Sequence, residues 1–529
     1  MVQQAAQRQS EWRPKYNPWA IALTVTLATF MEVMDLSIAN VSLQHIAGGL
    51  STTQDEATWI LTSYLVSNAI VLPISAWLAD RFGRKRFYMA CVALFTASSF
   101  LCGLAPTLGL LIFFRVLQGA GGGGLAPSEQ AIIADTFPPE TRGMGFAIYG
   151  MAVVLAPAIG PTLGGWITDT YSWRWIFFIN IPVGLLSLFL VNIMVEDPPY
   201  LEKAKRKARS AGADFVGLVL IAMSLACLQI VLDKGQRDDW FASHLILTLS
   251  IISAVCMLVF VFWDLKHKNP VINLRLFKNR SFAVATFMMF TLGAVLLGTT
   301  LLIPQFVQSL LGYTAMQAGE VLTPGALVIL VLMPLVGFLD SKVDARYLIA
   351  LGMFVTAFSL FRMQNFSLGM DFRTVVYWRI FQATGLAFLF VPINTISYTD
   401  VPEEQNNQVS GMMNVMRNLG GSVGISFVTT FLARRTQLHQ VRLVENTYGA
   451  NPWYQDLITK LATDLSHHGG VSAFQAIQQA QARIVALVIK QAALLSYIET
   501  VHVLAYIALI AVPLVFLARR AKPGEFRVG

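Results

Sequence analysis

The chain has 529 residues, of which 55% are hydrophobic and only 13% charged, with a formal net charge of +8. Soluble globular chains carry about 25% charged residues, so this composition excludes an ordinary soluble domain. The basic excess sits in short loops between apolar runs, where it reads as a membrane-topology signal and not as nucleic-acid binding.

The apolar runs are about 20 residues long, enough to cross a bilayer as helices. Alternating ten-residue strand patterns are absent, so a bundle of helices is expected and not a barrel. Fourteen spans are read in chain order, near 19–41, 58–79, 87–105, 108–132, 144–168, 175–195, 214–233, 243–263, 282–310, 319–339, 347–366, 373–397, 410–433 and 493–518. The loops "DRFGRKRF", "EKAKRKARS" and "DLKHKNPVINLRLFKNR" are rich in Lys and Arg, whereas "SLQHIAGGLSTTQDEAT" has none. The basic loops and both termini are therefore expected in the cytoplasm. Cys91, Cys102, Cys227 and Cys256 all lie in apolar runs and imply no disulfide framework or zinc site.

Two segments repeat. "AWLADRFGRKR" at 76–86 matches "GFLDSKVDAR" at 337–346, and "FRVLQGAGGG" at 114–123 matches "WRIFQATGLA" at 378–387. The expected organisation is a cytoplasmic N-terminus at 1–18 and a six-span bundle at 19–195. Linkers with two inserted spans follow at 196–281, then a second six-span bundle at 282–518 and a cytoplasmic tail at 519–529. Two repeats around a midplane site are the plan of a secondary transporter. Residues 434–492 form an unusually long outer segment with two amphipathic helical patterns, either a solvated cap or a surface for another protein.

The first span, "WAIALTVTLATFMEVMDLSIANVSL", holds two carboxylates, Glu32 and Asp35. Their i, i+3 spacing places them on one helix face, roughly 20–24 Å from Trp19 at about 1.5 Å per residue. Ionisable residues inside a membrane are expensive and mark ion or substrate pathways. Burial and a like-charged neighbour both favour the neutral form of a carboxyl, so such a pair can hold a proton and release it to a cationic substrate. One of the two acids could instead pair structurally with an arginine. Arg115 is a lone cation in the fourth span and must find a carboxylate or carbonyls. Arg379 is its repeat counterpart, and Arg417 is a further buried cation. Asn40, Gln118, Asn180, Gln305, Gln308, Asn394, Asn414 and Arg417, with Glu32, are the expected cavity residues, although such polar groups also serve as helix–helix glue. In "APAIGPTLGG", Gly160, Gly164 and Gly165 permit close helix approach and Pro157 and Pro161 invite a kink. Asp80, Arg81, Gly83, Arg84 and Lys85 form a cluster after the second span. Arg84 could pair with Asp135 and latch the cytoplasmic side, while the same basic cluster also reads as a positive-inside topology signal.

"LADRFGRKR", "RVLQGAGGG", "APAIGPTLGG" and "MDLSIANVSL" together resemble the major facilitator superfamily. In particular they resemble its fourteen-helix drug:proton antiporters of the EmrB/QacA type, with Ala76 where that family usually has Gly. "WRWIFFINIPVG" and "LQIVLDKGQRDDWF" are similar to the EmrB branch. The resemblance implies an all-α membrane fold of two six-helix bundles plus two inserted helices. It implies proton-coupled efflux of amphipathic, often cationic drugs, with Asp35, Glu32 and Arg115 in proton coupling and the glycine–proline helix in switching. No cofactor is expected, the proton gradient being the energy source. The expected location is a bacterial inner membrane, with a periplasmic membrane-fusion adaptor and an outer-membrane channel as partners. Export of a metabolite or siderophore is the alternative within transport. An intramembrane enzyme lacks a nucleophile–base or metal constellation, and a passive channel would be indifferent to the proton gradient.

Overall fold

The computed structural model describes residues 14–138, 140–202, 214–267, 270–445, 447–448, 451–469 and 472–520. The first 13 residues, most of the basic stretch 202–210 and the end of the tail lie outside the described residues. Thirteen described helices are long and apolar enough to cross a membrane. They are α1 (Pro18–Val41), α2 (Gln54–Phe82), α3 (Arg84–Leu104), α4 (Leu108–Thr136), α5 (Arg142–Thr170), α6 (Trp175–Met194), α7 (Phe215–Lys234), α8 (His244–Lys266), α9 (Arg280–Ser309), α10 (Met316–Asp340), α11 (Ala345–Asn365), α12 (Phe372–Ser397) and α14 (Ala473–Leu517). The expected span at 410–433 lies within α13 (Asn406–Val444), a more polar helix that packs along α9. No strand occurs among the described residues.

Local chemistry starts these helices. Helix N-termini leave unsatisfied N–H groups, costly in an apolar medium. Asn17 accepts from the N–H of Trp19 at 2.9 Å, with Pro18 beside it. Thr53 with Glu56, Thr314 with Gln317 and Ser472 with Gln475 form capping boxes. Gly83 alone ends α2 and begins α3, at φ +95°, a conformation that penalises any residue with a side chain.

The packing repeats with a shift of eight helices. In the first half α1 packs on α5, α2 on α4 and α3 on α6; in the second, α9 packs on α13, α10 on α12 and α11 on α14. The seam between the halves has the same symmetry, since α5 lies against α10 and α13 against α2. The inserted helices α7 and α8 pair with each other, and α7 lies along α2.

Gly160 and Gly164 face α1. A Cβ on Gly160 would lie 2.5 Å from the Ser37 side chain, and one on Gly164 would lie 2.9 Å from Ile38 Cγ2. Ser37 Oγ also donates to the Pro157 carbonyl at 3.3 Å. The tight contact made by Gly160 and Gly164 is thus within the first half, while α5 also meets α10, where Gly143 abuts Asp340, Gly150 abuts Met333 and Thr162 of the motif lies beside Gly319. Gly165 departs from expectation: nothing lies within 4 Å of its added Cβ, because it points away from α1. Gly160→Val is expected to destabilise by about 1–3 kcal/mol through overpacking, read as a lower melting temperature in detergent. An unchanged melt would mean that α1 and α5 are free to part.

The described residues between α13 and α14 form a helical cap. α13 runs to Val444, a separate cap helix spans Pro452–Gly469, and Ala473 begins the unbroken helix that becomes α14. Ile458 and Leu465 pack against Ala476, Ala480 and Ile484. Glu499 of α14 ties in α13, accepting from Arg435 Nη2 at 2.6 Å and meeting His439 at 3.2 Å.

Candidate coupling site and substrate cavity

Glu32 and Asp35 are both buried, yet they have different surroundings. Asp35 faces inward among α1, α4 and α6. Its Oδ2 meets Arg115 Nη1 at 2.5 Å, and its Oδ1 accepts from Gln118 Nε2 at 3.0 Å and Asn180 Nδ2 at 2.7 Å. Arg115 is fully enclosed. It also donates from Nη1 to Gln118 Oε1 at 2.8 Å and from Nε to the Ile60 carbonyl at 3.2 Å, and it lies 4.3 Å from the centre of the Tyr64 ring. Glu32 instead lines a cavity, and its Oε1 accepts from Asn68 Nδ2 at 3.0 Å and from the Tyr64 hydroxyl at 3.3 Å. Tyr64 therefore touches both acids' networks, holding the arginine on its face and Glu32 at its hydroxyl. Neither Tyr64 nor Asn68 was singled out from the sequence, although their i, i+4 spacing on α2 puts them on one face.

The cavity encloses about 250 Å³ between the two halves. Its wall is mostly apolar, with Val33, Leu36, Leu65, Leu297 and Ile425 among the lining residues. Its charged groups are Glu32, Asp233, Arg379 and Arg417. Asp233 belongs to the inserted helix α7 and accepts from Thr62, so α7 is part of the cavity wall. Gln229 of α7 also accepts from Ser422 of α13 at 2.9 Å.

Among the expected cavity residues, Glu32 and Arg417 line the space. Gln118 and Asn180 stand behind it, holding Asp35. Asn414 is buried between helices, donating to Gln130 Oε1 at 2.7 Å, and Asn394 donates to its own helix at the Phe390 carbonyl at 2.8 Å. Asn40, Gln305 and Gln308 are exposed, because they lie in the last turns of α1 and α9, beyond the cavity. Arg417 donates to the Tyr149 hydroxyl at 2.6 Å. Arg379 repeats the Arg115 geometry, with Nη1 donating to Gln382 Oε1 at 2.8 Å, but α9 supplies no acid to match Asp35. Its Nε has no partner among the described residues.

On the side of the α2–α3 loop the halves are closed by a polar cluster. Arg84 pairs with Asp135, as its place in the sequence predicts, and donates from Nε to Asn407 Oδ1 at 2.6 Å. Asn407 donates to Asp80 Oδ1 at 2.5 Å, Asn406 to Asp135 Oδ1 at 2.7 Å, and Tyr200 to Asp135 Oδ2 at 2.6 Å. Asp80 thus grips the first turn of α13 through a side chain. Arg81 and Lys85 are not at the centre of the cluster. Arg81 stacks 5.4 Å from the Trp77 ring centre, and Lys85 Nζ reaches the Asn192 carbonyl at 2.7 Å. Arg84→Ala leaves Asp135 buried without its cation, a loss of about 3–5 kcal/mol at such sites. In a cysteine-free background, labelling of Ala134→Cys by an impermeant maleimide is expected to rise about tenfold or more when Arg84→Ala is added. Unchanged labelling would show that the pair does not hold this side shut.

The Major Facilitator Superfamily model matches residues 25–425. The "Multidrug export protein EmrB" of Haemophilus influenzae is 38% identical, covering 82% of this chain and 84% of that protein. The "Fatty acid resistance protein FarB" of Neisseria gonorrhoeae is 37% identical, covering 85% of this chain and 87% of that protein. The crystal structure of the human organic anion transporter MFSD10 superposes with a TM-score of 0.59 at 12% identity, over 95% of this chain and 100% of that one, a likeness of fold. With its six-helix unit repeated at an offset of eight helices, its central cavity and a family match over most of its length, the chain belongs to the Major Facilitator Superfamily.

Proposed function

We propose that this protein is a multidrug efflux pump of a bacterial inner membrane, exchanging protons for amphipathic cargo by alternating access. The observation that carries the reading is Glu32, a carboxyl on the cavity wall held by neutral donors and backed by the Asp35–Arg115 pair. Cargo and proton then compete at Glu32, while Asp35 keeps Arg115 in place. The names of the Haemophilus and gonococcal relatives, for multidrug export and fatty acid resistance, support export of varied amphiphiles. The apolar wall fits such cargo, since its contacts adapt to many shapes. A potential of about 100 mV gives roughly 2.3 kcal/mol per charge. One pH unit adds about 1.4 kcal/mol, so a single proton can sustain roughly a 500-fold gradient of a neutral cargo.

The basic loops on the latched side favour a cytoplasmic placement of that side and of both termini. The cavity then lies toward the periplasm. The helical cap beyond the outer ends of α13 and α14 exposes Trp453, Phe474 and Val485, which suits the docking of a periplasmic adaptor leading to an outer-membrane channel. A second reading, export of anionic amphiphiles, draws on Arg379 and Arg417 in the cavity wall.

The test is reconstitution into liposomes with an imposed pH gradient, following luminal pH together with a fluorescent cation or a labelled fatty acid. Accumulation against the gradient with proton counterflow is expected, and the cargo that accumulates chooses between the two readings. Flux indifferent to the proton gradient would sink both.

A further inference from the structure

A third carboxyl lies inside the first half. Glu129 of α4 is completely buried; one oxygen accepts from Thr26 Oγ1 at 2.6 Å and the other has no partner among the described residues. Its sequence, "LAPSEQAII", carries no motif that marks it. Ala126, one turn earlier on α4, lines the cavity with Glu32, so Glu129 sits one helical turn behind the cavity wall. On α1, Thr26, Thr29 and Glu32 follow at i, i+3 and i+6, along one stripe. The Thr29 hydroxyl is fully buried beside the Glu129 carboxyl, without a well-formed hydrogen bond. Two polar atoms without a well-formed hydrogen bond, the Thr29 hydroxyl and the second Glu129 oxygen, therefore lie on the stretch that separates the two acids. Buried polar atoms are seldom left unpaired without a role. The other titratable groups set around Glu129 are Tyr88 from α3, Tyr149 from α5 and Arg417 from α13.

We propose that Glu129 is a relay carboxyl that takes the proton from Glu32 through the Thr29 hydroxyl and passes it on past Thr26 toward the latched side. In the transfer, the Glu32 O–H bond breaks as its proton joins the Thr29 oxygen, and Thr29 yields its own proton to Glu129. The threonine is unchanged, Glu32 is left as a carboxylate facing the cargo, and Glu129 holds the proton. The inference rests on the antiport reading above and assigns the proton a route separate from the cargo's. Val25, beside Thr26, accepts at its carbonyl from the Tyr88 hydroxyl at 2.6 Å, continuing the polar path along α1.

The test uses the full-length protein in liposomes with two readouts: cargo uptake driven by a pH gradient, and cargo-for-cargo exchange at equal pH. Glu129→Gln keeps an acceptor for Thr26 but cannot carry a proton. It is expected to lower driven uptake about tenfold or more while leaving exchange within about twofold of wild type, and Glu129→Asp is expected to restore the drive in part. Thr29→Val, nearly the same shape without the hydroxyl, is expected to slow driven uptake selectively, and it serves as the test if Glu129→Gln does not fold. Driven uptake at the wild-type rate in Glu129→Gln or, failing that protein, in Thr29→Val would overturn the relay. A parallel fall in both readouts would do the same, since it marks a structural role. If the wild type itself ignores the gradient, the antiport reading fails first and the relay with it.

Discussion

Asp35→Asn is expected to cost about 3–5 kcal/mol of stability and to abolish transport together with it. Arg115 is 0% exposed, and its guanidinium faces one carboxylate, one glutamine oxygen, one carbonyl and an aromatic ring. Asparagine leaves that cation buried with neutral partners only, and the amide forces a donor onto a side chain that now accepts from three groups. The loss therefore combines an uncompensated charge with broken geometry. A detergent melt read beside transport would show both effects. Asp35→Leu with Arg115→Met should recover much of the stability, because apolar replacement of a buried ion pair is often neutral or stabilising, yet transport should stay absent. An Asp35→Asn protein that melts and couples like wild type would show that the pair is dispensable.

Glu32→Gln should separate what Asp35→Asn confounds. Glutamine keeps an oxygen for Asn68 and Tyr64, so stability is expected to stay within about 1 kcal/mol of wild type. Gradient-driven accumulation should fall about a hundredfold, the usual scale for removing a positioned proton carrier, while downhill cargo exchange persists. Glu32 lines the cavity, so the added amide donor can face that space. Full proton drive in this variant would remove Glu32 from the coupling role and return the question to Asp35.

Much of this was legible in the sequence because membrane helices announce themselves by composition, and because the repeat of "FRVLQGAGGG" in "WRIFQATGLA" gives the shift of eight helices directly. Arg84 with Asp135 was readable because a buried cation has few acids to choose from; that Arg115 needs a partner was readable too, but not that Asp35 and not Glu32 supplies it. What stayed hidden depends on which way a face turns. Glu32 and Asp35 are three positions apart, about 60° of rotation short of a full turn, and α1 sits so that this angle divides cavity from packed interior. Gln305 and Gln308 were placed in the cavity by residue type alone, whereas their position in the last turn of α9 exposes them. Glu129 and Asp233 acquire their neighbours from helices distant in sequence, Thr26 on α1 and Thr62 on α2, and no local pattern foretells that.

The helix that begins at Ala473 runs without interruption through Leu514, 42 residues in all. At about 1.5 Å per residue it is ~63 Å long, about twice the ~30 Å of bilayer hydrocarbon. Its first third is clamped to the cap helix by Ile458 and Leu465, and Arg435 locks it to α13. Such a rod is a lever with its fulcrum in the membrane. A tilt of about 10° in the second half would sweep a tip ~45 Å from the bilayer centre through roughly 8 Å. Anything resting on the cap would therefore feel each turnover as a mechanical stroke.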